Sequence, residues 1–366
     1  MVQRITSSDT LEAAVLGGAL LGGGGGGGIE EGLHLGRLAL ERGGPLLADP
    51  DELPPDGILL TVSAVGAPSA PDRSVSPEQY VAAVESFLDV FKIDVAGLIT
   101  NENGGMATVN GWLQSAVLGI PVADVPCNGR AHPTGVMGSM GLDAEPQYVS
   151  RQVAVGGNEV QGRQVVVSVE AALRVSAQLI RDAAVAAGGL VAVARNPVSV
   201  RYALEHGAPG AIAKAVELGR LLQPNAPPSQ RAKACAERLG GQIIHRGTVS
   251  DKRLESRGGF DVGWLRIGDY ELTLWNEYMT LEQGGQRLGT FPDLIATLSA
   301  ASARPLSTAE IRPGDEVFLL WAPRDHLILG AGMRRPELFQ VVEKAVGKEI
   351  IAHVFPDEGR SDLQET

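Results

Sequence analysis

An α/β N-terminal domain, three-layered around a mostly parallel sheet and followed by a β-rich C-terminal domain, is the fold class this sequence predicts. Three observations carry the prediction. Residues 95–125 read strand, helix, strand, the βαβ pattern whose crossover makes neighbouring strands parallel and covers them with helices. Residues 242–329 break instead into short strands separated by glycine turns, the pattern of an antiparallel barrel or sandwich. A chain of 366 residues with 44% apolar content also exceeds what one core holds, since single cores stop growing near ~250–300 residues. The expected division is an α/β domain over 1–160 holding the candidate site, a helical and strand connecting segment over 161–240, and a β-rich domain over 241–366.

The elements follow in order. Residues 8–21 carry Ser8 or Asp9 at the cap position and an acid in the first turn, which predicts a helix. This helix runs into seven consecutive glycines, Gly22 to Gly28, after which a second helical pattern over 30–42 closes on Gly43 and Gly44. A dinucleotide-binding fingerprint needs a strand before its glycines. Here a helix precedes them, so that reading is excluded. Residues 57–65 are a strand-length apolar run, and Gly66-Ala67-Pro68 turns the chain. Ser76 caps and Pro77 opens a helix over 77–91. Then come a strand over 95–100, a helix over 109–118 and a strand over 121–125, with Glu102 and Asp124 just past the strand ends, where ligands of such sheets bind. Two strand-like runs fill 153–169, and helical patterns occupy 170–187, 197–205 and 209–222 before a Pro/Asn-rich break at 223–229.

Composition narrows the function. The net charge is −12 and no Lys/Arg cluster stands out, which argues against a nucleic-acid partner. No window holds the ~18 apolar residues of a membrane span, and residues 1–15 carry acids where a signal peptide turns apolar. Cys127 and Cys235 lie far apart in the chain, which suits a reducing compartment. A soluble cytoplasmic protein is expected. The 47 glycines and 4% aromatic content point to many tight turns around a core of Val, Leu, Ile and Ala. Self-association into a homo-oligomer is the further expectation.

A series of short motifs runs through the chain: LLGGGGGGG near the start, VGAP at 65–68, E-x-GG at 102–105, GIPVAD at 119–124 and GRA-x-P at 129–133. GGQIIHRG, GGFDVG, WNEY at 275–278, FPDLI at 291–295 and IRPGDEV continue it. In this order they resemble the S-methyl thiohydantoin desulfurase family, associated with hydantoinase and oxoprolinase systems. The resemblance implies the two-domain architecture and hydrolytic chemistry on a small five-membered heterocycle. The chain departs from the family pattern at Pro126, where a second acid is usual, and at His132 and Thr134, where an aromatic residue and an acid flank the proline.

Water attack on a ring carbon needs a base, a donor set for developing negative charge, and an acid for the leaving group. Residues 95–142 are dense in groups of this kind. Glu102 is the candidate base, or else a helix cap or partner of Arg130. Asn101, Asn103, Gly104 and Gly105 flank it as candidate substrate-binding residues. Asp124 either orients water or a ring nitrogen, or binds backbone N–H groups. Cys127 is a nucleophile with His132 as its base, or an inert packing residue. Asp124, Cys127 and His132 as metal ligands match no usual zinc spacing, so neither metal nor other cofactor is expected. Arg130 grips a substrate carbonyl or carboxylate, or makes a structural ion pair. Gly24, Gly25 and Gly26 can bring main-chain N–H groups to an anion, and Asn276 and Glu277 reach in from the second domain or bridge the domains. The expected function is a hydrolase-like enzyme for a small cyclic amide, imide or thiohydantoin. The alternatives are a non-catalytic accessory subunit of a hydantoinase-type system, or an isomerase, lyase or cyclase on the same fold.

Overall fold

The computed structural model of the chain describes residues 2–67 and 69–356. Pro68 of the VGAP motif and residues 357–366 of the expected second domain lie outside the described residues.

The first sheet is built from β1 (Gln3–Arg4), β2 (Leu46–Ala48), β3 (Ile58–Gly66), β4 (Gly97–Thr100), β5 (Val122–Ala123), β6 (Val149–Gly156), β7 (Val165–Ala172) and β8 (Leu190–Ser199). Their order is β1-β2-β5-β4-β3-β8-β6-β7. The strands β2, β5, β4 and β3 run parallel, while β8 pairs antiparallel with both β3 and β6. Successive side chains point to opposite faces of a strand. Leu60, Leu98, Val122 and Ala192 thus enter one core, whereas Leu59, Ile99, Ala123 and Val193 face the other side. The first core is covered by α1 (Ser8–Leu21), α2 (Ile29–Glu41), α3 (Pro77–Phe91) and α4 (Trp112–Leu118). The opposite face is covered by α5 (Leu173–Ala186) and α6 (Val200–His206). Three layers result, as expected. The helix α3 carries a full capping box between Ser76 and Gln79, with Pro77 in its first turn.

Residues 161–240 are not a separate connector. They supply β7 and β8 to the first sheet and then α7 (Ala211–Leu222) and α8 (Pro228–Arg238). The sequence reading missed β8, because a short apolar run such as LVAVA is indistinguishable from a buried helical segment by periodicity. α8 was likewise missed, its start lying in the Pro-rich stretch read as a break. α1 and α7 pack closely because Gly17 faces Ala215 and Gly219 faces Ala13, where any Cβ would overlap a main-chain oxygen. With α8 they bury Leu20, Leu218 and Ala232 against Leu294, Leu298 and Leu320 of the second sheet.

That sheet is wholly antiparallel. It comprises β9 (Gln242–Arg257), β10 (Phe260–Ile267), β11 (Tyr270–Trp275), β12 (Glu277–Gln283), β13 (Gln286–Thr290), β14 (Leu294–Ser299), β15 (Pro305–Leu306) and β16 (Glu316–Ala322). The order is β13-β12-β11-β10-β9-β16-β14-β15. β9 pairs with β16 along its first half and with β10 along its second, so the two wings fold over one core of Leu265, Leu272, Tyr278, Ile295 and Leu319. The end strands β13 and β15 do not pair, and no closed barrel forms. Two short helices, α9 (Gln340–Val346) and α10 (Ile351–Val354), pack over Trp275, Met279 and Phe291.

Candidate functional site

The seven glycines form a seam between the domains rather than a loose connector. Gly23 accepts a hydrogen bond from the Tyr278 N–H at 2.9 Å and Gly24 one from the Thr308 N–H at 2.8 Å, both from the second domain. Gly26 accepts from Met106 and Ala107 at 3.2 and 3.0 Å, on the loop after β4. Gly26 lies at φ 73°, and a Cβ there would run into Gly104; only glycine meets both conditions. Gly104 and Gly105 are the other half of this contact, packed on Gly26 and Gly27 main chain.

Glu102 follows β4 and faces a cleft between the domains. One oxygen, Oε2, accepts from the His132 main-chain N–H at 3.1 Å. The His132 ring Nδ1 lies 3.0 Å from the same oxygen, but off the line of a good ring N–H hydrogen bond, so Nδ1 counts as unpartnered. The other ring nitrogen, Nε2, sits 3.0 Å from Asn101 Nδ2. Asn101 Oδ1 accepts from the Arg195 guanidinium at 2.7 Å. Arginine only donates, so the Asn101 amide orientation is settled and its N–H₂ must face the ring. Nε2 is then the acceptor and Nδ1 bears the hydrogen. Burial, with the Arg195 charge adding to it, pushes His132 down to about 3, so the ring stays neutral. Burial pushes Glu102 up to about 7; the hydrogen bond from His132 and the charges of Arg195, Arg130 and Arg181 oppose it. The Glu102 side chain keeps 15% exposure, toward the cleft.

From the second domain, Asn276 turns the chain between β11 and β12 at φ 59°, and its Oδ1 accepts from the Asp261 N–H at 2.9 Å. Glu277, the first residue of β12, is buried, and its Oε2 has no partner. Burial, then the charge of Glu102, raises its pKa well above the ordinary carboxylate range.

The cleft is narrow, with a cavity volume of about 90 Å³, and opens in part to solvent. Of the residues predicted from sequence, Gly26, Asn101, Glu102, His132, Asn276 and Glu277 line it. Gly24 and Gly25 lie behind it in the seam. Asn103 is tied to Gly129 and Ala211 carbonyls at 3.2 and 2.8 Å. Asp124 does not line it: its carboxylate accepts from Ile212 and Ala213 N–H groups at 2.7 and 3.0 Å, capping α7. The reason is strand order, since β5 lies on the far side of β4 from β3 and β8. Cys127 is also off the cleft, 3.4 Å from Thr61 Oγ1, with burial pushing its thiol up to about 11; no pairing with His132 forms. Among the described residues no group of three His, Cys, Asp or Glu side chains is arranged to hold a metal. Arg130 is fully buried behind the seam, donating to Ala131, Pro292 and Asp293 carbonyls and stacking 4.6 Å over Phe291.

Three arginines of the cleft escaped the sequence reading: Arg73, Arg181 and Arg195. Arg73 pairs with Glu31 at 3.4 Å, and Arg181 donates to Gly66 and Gly259 carbonyls at 3.2 and 2.9 Å. An arginine inside the apolar run that forms β8 was the available signal for Arg195. Ser63 Oγ, Asn110 Nδ2 and Arg195 Nε line the cleft or its walls and are buried without partners. Such groups are costly unless a ligand or ordered water satisfies them. The N–H groups of Gly26 and Gly27 also lack an acceptor among the described residues.

Residues 9–167 match the family described as S-Me-THD-like, N-terminal domain, and residues 172–332 match S-Me-THD-like, C-terminal domain. An X-ray structure of a Chromobacterium violaceum protein, a structural-genomics target, is similar with a TM-score of 0.65 and 20% identity. The likeness covers 98% of this chain and 96% of that one, and at this identity it speaks for the fold. No curated protein matches the chain. With both halves of the architecture matched in order, the chain belongs to the S-Me-THD-like family.

Proposed function

We propose that the protein is a hydrolase that replaces the sulfur substituent of a small S-methylated thiohydantoin by oxygen, releasing a thiol and a hydantoin. The observation that carries this reading is Glu102: a carboxyl facing the cleft between the domains, its pKa pushed up to about 7 by burial. A base is most useful when its pKa lies close to the working pH. Glu102 takes a proton from water as the water oxygen attacks the ring carbon bearing sulfur. The chain Arg195, Asn101, His132 holds Glu102 in place, and the free N–H groups of Gly26 and Gly27 are the donors available for charge developing on the ring. Membership of the S-Me-THD-like family supports the heterocycle, and the unpartnered Ser63 and Asn110 supply further polar contacts for it.

The test is direct. Purified protein is incubated with S-methyl thiohydantoin, and methanethiol and hydantoin are measured. Turnover is expected, reduced by about 10²–10⁴-fold in Glu102→Gln, the usual contribution of a general base. An inactive wild type, or a Glu102→Gln variant as fast as wild type, would reject the reading.

A further inference from the structure

Among the described residues lining the cleft, only Asn276 and Glu277 come from the second domain. The Glu277 residue is 2% exposed. The charged groups around it are Glu102, Arg130 and Arg181, and neither arginine makes an ion pair with it. Arg130 directs its Nε and Nη1 groups to main-chain carbonyls of residues 131, 292 and 293 and leaves Nη2 without a partner, and Arg181 donates to those of residues 66 and 259. A carboxylate buried this deeply, unpaired and facing a second carboxyl, is too costly to keep charged, so it retains its proton.

The glycine seam is shaped for this side chain. Gly25 is not in the left-handed region, so its backbone would accept other residues. Its need is space, because a Cβ there would overlap Glu277 Oε1, Cδ and Cγ. The same seam that joins the domains therefore leaves room for one carboxyl from β12.

We propose that Glu277 is the proton donor of the reaction, the second domain's partner to Glu102. This rests on the hydrolase reading above. As the water oxygen bonds to the ring carbon, Glu102 takes one water proton. The carbon–sulfur bond then breaks, its electron pair leaves with sulfur, and the Glu277 proton goes to that sulfur, forming the neutral thiol. The ring is left as the hydroxy tautomer of a hydantoin. Its O–H proton passes to the Glu277 carboxylate while Glu102 returns its proton to ring nitrogen, giving the hydantoin and resetting both carboxyls. Atoms, charge and electrons balance with water as the sole co-reactant.

The proposal is tested with one variant and two leaving groups. Glu277→Gln is assayed on S-methyl thiohydantoin and on its S-(para-nitrophenyl) analogue, whose thiolate departs without protonation. Loss of the donor is expected to slow the methyl substrate about 10²–10⁴-fold and the aryl substrate less than about 10-fold. The ratio within one variant cancels any unfolded fraction. Equal losses on both substrates, or no loss on either, overturn the proposal. If the wild type releases no thiol from either compound, the hydrolase reading falls and the donor role with it. Infrared spectroscopy then separates the two: a protonated-carboxyl band at neutral pH, lost in Glu277→Gln, keeps Glu277 as the proton-carrying group of the cleft, and its absence removes that as well.

Discussion

Glu102 shows how one buried carboxyl couples stability to pH. Its folded pKa of about 7 lies above its ordinary value of 4.5. Below pH 4.5 it is protonated in folded and unfolded chains alike, so the full stability is present. As pH rises toward 7 the unfolded chain ionises first, and stability is lost up to roughly 3 kcal/mol, less what water reaching the cleft screens. Glu102→Gln is therefore expected to match wild type in urea denaturation near pH 4.5 and to exceed it by about 2–3 kcal/mol near pH 8. For the proposed reaction, kcat/KM should rise with pH as Glu102 loses its proton and fall as Glu277 loses its own. Removing the Arg195 charge, which lowers the Glu102 pKa, should move the rising limb to higher pH; an unmoved limb in Arg195→Met would uncouple the pair. Cys127 and Cys235 are buried thiols, with Cys127 raised to about 11. A thiol reagent should modify neither until the chain is unfolded, and Cys127→Ala should keep activity.

Among the elements, the glycine run has the clearest logic. Its members are not interchangeable, because each faces a different neighbour. Gly26 faces Gly104 at positive φ, and Gly25 faces Glu277. Gly28 has open space around it, lies at φ −80°, and is the N-cap of α2 with no side-chain cap. Gly28→Ser should be tolerated and stabilise by a few tenths of a kcal/mol, by capping and by stiffening the unfolded chain. Gly26→Ala should cost several times as much through strain and overlap. Thermal denaturation of the two variants checks this; equal, negligible effects would mean a flexible connector after all. β8 is the complementary case. It looks like one more apolar strand, yet it places Arg195 beside Asn101 across the sheet.

At the scale of the whole molecule, the cleft exists only where the domains meet. Asp261 of β10 is fully buried and clamps the loop after β3, accepting from the Ser69 N–H at 2.8 Å, from the Ser69 hydroxyl, and from the Ser256 hydroxyl at 2.7 Å. Asp261→Ala would leave these donors unpaired, at a cost of about 2–4 kcal/mol, and should raise KM for substrate in the cleft. Unfolding followed by urea and by hydrogen exchange distinguishes this from a purely local effect. Among the described residues no helix is long and apolar enough to cross a membrane.

Much of this was legible in the sequence, and for identifiable reasons. Helices α1, α2 and α3 and strand β3 announce themselves through caps, period and turn residues, which are local properties. The strand–helix–strand unit around α4 placed Glu102 at a strand end, and the glycine run marked close main-chain approach. Other features are set by partners distant in the chain. Whether Asp124 meets the cleft depends on where β5 lies in the sheet, and strand order is a long-range pairing that no local window contains. Arg195 and Asn101 are 94 positions apart, and Glu277 meets the Gly25 position across more than half the chain. The sequence by itself determined the layered architecture and the loop that bears Glu102, because periodicity, capping and turn chemistry act between near neighbours, and the order of its motifs carried the resemblance to the family. Only the tertiary structure decided which polar groups share a cleft and which cap a helix, because that follows from how two sheets and a glycine seam bring remote residues together.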